Sequence, residues 1–157
     1  MYKNYFKRLF DIIFSVVLIL VLFPLMILIF FIIWIFIGFP IFKQKRPGLN
    51  NKIFTLYKFK TLYDSSKNIS EKKRQNNLGI FLRKIGIDEL PQLFNVLENK
   101  MSLVGPRPLL AEYLKKYSRY EKKRHLVKPG ITGLAQVNPE PSGLKSWNNS
   151  IKLDIYY

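Results

Sequence analysis

The chain has 157 residues, room for one domain of ordinary size, and carries 26 Lys and Arg against 10 Asp and Glu, a formal net charge of +16. It has no cysteine, which excludes a thiol nucleophile, a thiolate-held zinc and any disulfide framework. The charge is also segregated: from Leu9 to Phe42 the only charged residue is Asp11, and every base lies outside that stretch. A water-soluble domain does not sort its residues in this way.

From Ile12 to Ile37 the sequence is apolar apart from Ser15 and Pro24. A bilayer core of ~30 Å needs roughly 20 apolar residues to span it, so the segment is expected in a membrane. A secretory signal fits poorly, because the run is too long and no small-residue cleavage site follows it. A buried core helix fits poorly too, because the run is apolar on every face. Pro24 near its middle removes an amide donor and breaks or kinks a helix, leaving arms that would each enter one leaflet. Lys3, Lys7 and Arg8 precede the segment, and Lys43, Lys45 and Arg46 follow it. Basic flanks favour the cytoplasmic side, and here they are matched. The residues alone therefore leave two topologies, a single-pass helix kinked at Pro24 and a re-entrant hairpin broken there.

Beyond the apolar segment, Ile41 to Lys45 and Ile53 to Phe59 are β-prone runs separated by a turn-rich Arg46 to Asn51. They predict a β-hairpin with Lys58, Lys60 and Thr61 at the end of its second strand. Asp64 to Asn77 is polar, either a mobile loop or an exposed helix. Leu78 to Ile85 predicts a short helix stopped by Gly86. A second helix is expected to begin with Asp88 as N-cap and Pro91 in its first turn, burying Leu90, Leu93, Phe94 and Leu97. Asp88 and Glu89 would then sit at the positive end of a helix, where phosphate binds and a metal ion would help admit it. Taken alone, the pair reads first as an N-cap with a favourable dipole partner.

The Gly105-Pro106-Arg107-Pro108 loop presents one guanidinium, suited to two phosphate oxygens at once. Leu109 to Arg124 reads as an amphipathic helix with a basic end, interleaved with Tyr113, Tyr117 and Tyr120, and is expected to form a solvated or lipid-facing surface. His125, the only histidine, is expected to be structural. Stacking of single-stranded nucleic acid on the tyrosines is conceivable chemistry. No nucleic-acid fold signature is present, however, and no nucleic-acid partner is expected.

In chain order, Phe6 to Asp11, Gln44 to Gly48, Lys58 to Thr61, Asp88-Glu89-Leu90-Pro91-Gln92, Gly105 to Pro108, and Pro129 to Gly133 with Gln136-Val137 resemble the bacterial sugar transferases. The likeness is to the small monotopic phosphoglycosyl transferases that start glycan assembly on polyprenol carriers, including those that initiate bacterial protein N-glycosylation. The resemblance implies an α+β, mainly helical fold. Residues 1–40 would form a re-entrant membrane helix hairpin broken at Pro24, and residues 41–157 a small cytosolic catalytic domain with a β-hairpin. It implies transfer of a sugar phosphate from a UDP-sugar to polyprenol phosphate at the cytoplasmic face of the bacterial inner membrane, releasing UMP, with an N-acetylated amino sugar expected over a plain hexose. Asp88 takes the position of the nucleophile and Glu89 that of its neighbour, both beside magnesium (Mg2+). Arg46, Lys58, Lys60, Arg83, Arg107, Thr132 and Gln136 form the expected substrate-binding set, with Lys60 and Arg107 on the diphosphate.

Four departures accompany the likeness. Phe23 precedes the hairpin proline where a serine is common, and Gly86-Ile87 replaces Ser-Leu before the acidic pair. Pro139-Glu140 stands where Gly-Arg often follows, and the chain is expected to be C-terminally shorter than its relatives. Two other readings remain beside the transferase: a membrane-tethered basic protein binding nucleic acid or anionic lipid, and an inactive remnant of the fold.

Overall fold

The computed structural model describes residues 2–64, 70–138 and 147–157. Helix α1, Tyr2–Phe36, runs without interruption through Pro24. The expected break is therefore not seen, and the packing on α1 supplies a reason. Asp11, Ser15, Met26, Ile29, Ile33 and Ile37 are buried and, by their spacing, fall on one stripe that continues on both sides of the proline. Burial of that stripe outweighs the ~3 kcal/mol that an internal proline costs. The other faces expose their Phe, Leu, Ile and Val side chains, and the helix is long and apolar enough to cross a membrane.

Both ends of α1 grip the rest of the chain. Near its start, Arg8 donates to the carbonyls of Val96 (2.7 Å) and Leu97 (3.1 Å), while the Asp11 carboxylate accepts from Ser102 Oγ (2.8 Å) and the Leu103 amide (3.1 Å). Near its end, Met26, Ile29, Ile33 and Ile37 form a core with Phe59 and Leu82.

Strands β1 (Ile41–Pro47) and β2 (Ile53–Phe59) form the expected antiparallel hairpin, with Ile41 opposite Phe59 and Pro47 opposite Ile53. Phe42, Gln44 and Arg46 thus share one face with Lys58, Leu56 and Phe54, and Ile41 and Lys43 share the other with Phe59 and Tyr57. On the far edge of β2, the fully buried Asn95 replaces a third strand. Its amide donates to Thr55 O (2.9 Å) and accepts from the Tyr57 amide (3.0 Å), fixing α3 (Gln92–Leu97) against the hairpin.

After β2 the chain forms an isolated bridge between Leu62 and Gln75 and a 3-10 turn, Glu71–Arg74. Within the polar stretch read as loop or helix, residues 65–69 lie outside the described residues. Helix α2 (Asn77–Ile85) is capped by Asn76, whose side chain accepts from the Gly79 amide. Gly79 is required there, because a Cβ would lie 2.0 Å from Thr61 O. Gly86 ends α2 as expected, with φ +76 in the left-handed region.

Two expectations are corrected. Asp88 does not cap a helix: it lies inside a 3-10 turn, Ile87–Glu89, and α3 starts only at Gln92. The left-handed Gly86 turns the chain at once into that turn, so Asp88 falls within it rather than before a helix. Leu109 to Arg124 is not one helix but contains a 3-10 turn at Ala111–Lys115, with another at Glu121–Leu126. Tyr117, Arg124 and His125 of this stretch are drawn into the interior, and a straight amphipathic helix would have left its basic end in solvent.

Strands β3 (Ser102–Val104) and β4 (Gly130–Thr132) pair in parallel, Ser102 beside Gly130. A Cβ on Gly130 would lie 2.1 Å from the Gly105 amide nitrogen, so this crossing also needs glycine. Helices α4 (Leu134–Val137) and α5 (Trp147–Tyr156) complete the fold, while Pro139-Glu140 lies outside the described residues.

Candidate active site

The even face of the hairpin, Asp88 and Glu89 of the Ile87–Glu89 turn, and Arg107 of the Gly105–Pro108 loop enclose a pocket of about 560 Å³. Arg46, Lys58, Lys60, Arg83 and Arg107 line it together with Asp88 and Glu89. Seven of the nine residues expected from the sequence are thereby brought together from five separate segments. Cations outnumber carboxylates, which suits a dense anion such as a diphosphate.

The two adjacent acids live in different environments. Glu89 is held at one oxygen, Oε1, by Lys58 Nζ at 2.6 Å and by Arg107 Nη2 at 2.8 Å. Burial alone would raise its pKa, but Arg107 and Lys58 outweigh burial and hold the carboxyl below the usual range. Asp88 is buried, and no hydrogen bond reaches its carboxylate among the described residues. Burial pushes its pKa up, against the opposing pull of Lys58, and Glu89 beside it pushes the same way. Neighbouring groups whose acidities are driven apart can take different roles. Glu89 stays an anchored anion, and Asp88 is the more basic and the less encumbered of the two.

The cations are positioned by neighbours within the pocket wall and by the loop that carries Arg107. Arg83 Nε donates to Thr61 Oγ1 (2.7 Å), tying α2 to the end of β2. Arg46 Nη2 donates to Gln44 Oε1 at 2.5 Å. Lys60 is buried, and its ammonium contacts the exposed Asp64 at 2.5 Å. Arg107 is set by its loop, in which the Gly105 amide donates to Thr132 O (2.9 Å) and Pro106 O accepts from the Gly130 amide (3.0 Å).

That clamp accounts for the two expected residues that do not reach the pocket. Thr132 acts through its backbone carbonyl, and Gln136 Nε2 faces Ile131 O at 3.5 Å, behind the loop. Arg74 was missed by the sequence reading. Its Nε donates to Tyr63 O (2.8 Å), and it joins the pocket wall because the bridge from Leu62 to Gln75 folds the polar stretch back. Nothing local marks it among Lys72, Lys73 and Arg74. His125 is buried and its pKa falls to about 4, first through burial and then through Arg124, so it is neutral at pH 7 as a structural side chain.

The family model described as "Bacterial sugar transferase" matches residues 2–157. The chain belongs to the bacterial sugar transferase family. It is similar to the protein named uncharacterized sugar transferase EpsL of Bacillus subtilis (strain 168), 44% identical over 156 residues that cover 96% of this chain and 76% of that one. It is also similar to the undecaprenyl-phosphate glucose phosphotransferase of Komagataeibacter xylinus, 41% identical over 150 residues, 84% of this chain and 27% of the relative. The undecaprenyl-phosphate galactose phosphotransferase of Salmonella typhimurium is 34% identical over 157 residues, 87% of this chain and 33% of the relative. This sugar transferase thus spans most of the Bacillus protein but about a third or less of the two longer relatives.

Proposed function

We propose that this protein moves a sugar 1-phosphate from a UDP-sugar to polyprenol phosphate, releases UMP and so initiates glycan assembly. The observation that carries the reading is the divided acidic pair: an unencumbered, more basic Asp88 beside a Glu89 anchored by Lys58 and Arg107. An Asp88 oxygen attacks the β-phosphorus, the bond to the UMP oxygen breaks, and UMP departs with the electron pair. An oxygen of polyprenol phosphate then attacks the same phosphorus, and Asp88 leaves as carboxylate. Arg107, Arg46 and Lys58 hold non-bridging oxygens, and Lys60 exchanges Asp64 for phosphate. The names of the relatives, undecaprenyl-phosphate glucose and galactose phosphotransferases, support the substrate class. They are hexose names, and lend no support to the expected N-acetylated sugar.

The donor set fits magnesium. That ion binds through one or two carboxylates plus substrate phosphates, and Asp88 with Glu89's second oxygen offers such a pair. No group of three His, Cys, Asp or Glu side chains that could hold a metal occurs among the described residues, so the ion would be shared with the diphosphate. Bound there, magnesium neutralises charge between the carboxylates and the incoming diphosphate. Purified protein should release UMP from a UDP-sugar when polyprenol phosphate is supplied, and excess EDTA should abolish the release. Full turnover in EDTA would remove the metal, and no UMP under any condition would remove the transferase reading.

In this reading the catalytic domain lies on the cytoplasmic face of the inner membrane, and α1 bends at Pro24 without losing its helical turns, so that it enters and leaves on that face. Support comes from the contacts of Arg8 and Asp11 at one end of α1, and of Ile33 and Ile37 at the other, with one and the same domain. A helix of this length is ~50 Å long, and a helix crossing the bilayer would carry its two ends into opposite compartments. Cysteines introduced at Lys3 and Lys52 should both react with an impermeant maleimide only after the cytoplasmic side is opened. Reaction of the Lys3 site from outside intact cells would restore the single-pass topology.

A further inference from the structure

The hairpin is a partition. Its even face, with Arg46 and Lys58, looks into the charged pocket, and its odd face, with Ile41, Tyr57 and Phe59, looks toward α1. Between that odd face, α1 and α3 lies a second cavity of about 730 Å³. Phe23, Ile27 and Phe30 of α1 line it, facing Tyr57, Phe59 and Phe94. Its charged lining is limited to Lys43 and Glu98, one of each sign, so it offers no net charge to an anionic headgroup. Phe23, Ile27 and Phe94 are about half exposed, on a wall that α1 shares with its lipid-facing surface. Phe59 borders both cavities, and Pro91 of the apolar one lies two positions after Glu89 of the charged one.

We propose that this groove is the seat of the acceptor's isoprenoid chain, an inference that rests on the reading of the protein as a polyprenol-phosphate transferase. A phosphate beside Asp88 is attached to a long apolar chain, which cannot remain among Arg46, Lys60, Arg74 and Arg83. The apolar exit is at Phe59, and beyond it Phe30, Ile27, Met26 and Phe23 line the groove along α1. The division of charge assigns the two ends of one amphiphile to the two faces of one hairpin. A bilayer phospholipid fits less well, because the groove itself holds no excess positive charge for its headgroup.

The test uses the full chain in nanodiscs with two acceptors that share the phosphate, undecaprenyl phosphate and geranyl phosphate. Ile27→Trp and Phe94→Trp each narrow the groove from a partly exposed position. In each variant the KM for undecaprenyl phosphate should rise about ten-fold or more, the scale of losing one well-packed apolar contact. The KM for geranyl phosphate and the UMP released without acceptor should stay within about two-fold. Unchanged KM for both acceptors overturns the groove. So does an equal rise for both, or a fall in acceptor-free UMP release, since the substitutions would then act on the fold or on a resident phospholipid. Wild-type protein that releases no UMP with either acceptor overturns the transferase reading instead.

Discussion

Asp88→Asn should abolish sugar-phosphate transfer while leaving folding and membrane insertion unchanged. The carboxylate makes no hydrogen bond among the described residues and caps no helix, so an isosteric amide removes no contact of the fold. Burial works against the carboxylate's charge and raises its pKa, so neutralising it does not threaten stability. Chemistry, by contrast, loses its nucleophile, because an amide is a poor attacker of phosphorus. Turnover should fall by at least about a thousand-fold, ~4 kcal/mol of barrier. Wild type incubated with a UDP-sugar labelled in the β-phosphate, without acceptor, should carry label at Asp88, and the variant none. The ionised form attacks, so activity should be lost as pH falls through the Asp88 pKa, and burial places that limb above the ordinary aspartate value of 3.8. Near-normal turnover of Asp88→Asn would leave the residue a mere component of the turn.

Arg124→Ala should unfold or severely loosen the domain. Arg124 and Asp154 are buried at 2% and 4% exposure, and their side chains are in direct hydrogen-bonded contact. The same guanidinium donates to Tyr117 Oη (2.8 Å) and to Arg107 O (2.7 Å), tying α5 to the loop that presents Arg107. Removing it strands the Asp154 carboxylate in the interior, which costs about 3–5 kcal/mol. Total stability is about 5–15 kcal/mol, so the loss would be a large share. Arg124→Lys keeps the charge but cannot reproduce the planar donor fork, and should fall between wild type and Ala. Thermal melts and denaturant titrations in detergent measure both. A loss below about 1 kcal/mol for Arg124→Ala would mean that the pair is screened like a surface bridge.

The sequence determined the parts whose cause is local. Ile12 to Ile37 declared a segment long and apolar enough to cross a membrane, because its apolarity runs round every face. The β-prone runs on either side of the turn-rich Arg46 to Asn51 specified the hairpin, and Gly86 ended α2 because glycine occupies the left-handed region at no steric cost. The residue types near the site, and the place of the Asp88-Glu89 pair in the chain, were equally legible. Tertiary structure alone decided how they work. Which acid is anchored and which is free depends on Lys58 and Arg107 arriving from distant segments, and on how far Asp88 is buried. Arg74 enters the pocket, and Thr132 and Gln136 stay behind its loop, through strand pairings that no local pattern encodes. Pro24 sits within an unbroken α1 because a buried stripe on both sides of it outweighs its lost hydrogen bond. Local sterics and turn chemistry are written residue by residue, whereas desolvation and charge pairing are set by whatever the folded chain brings within a few ångströms.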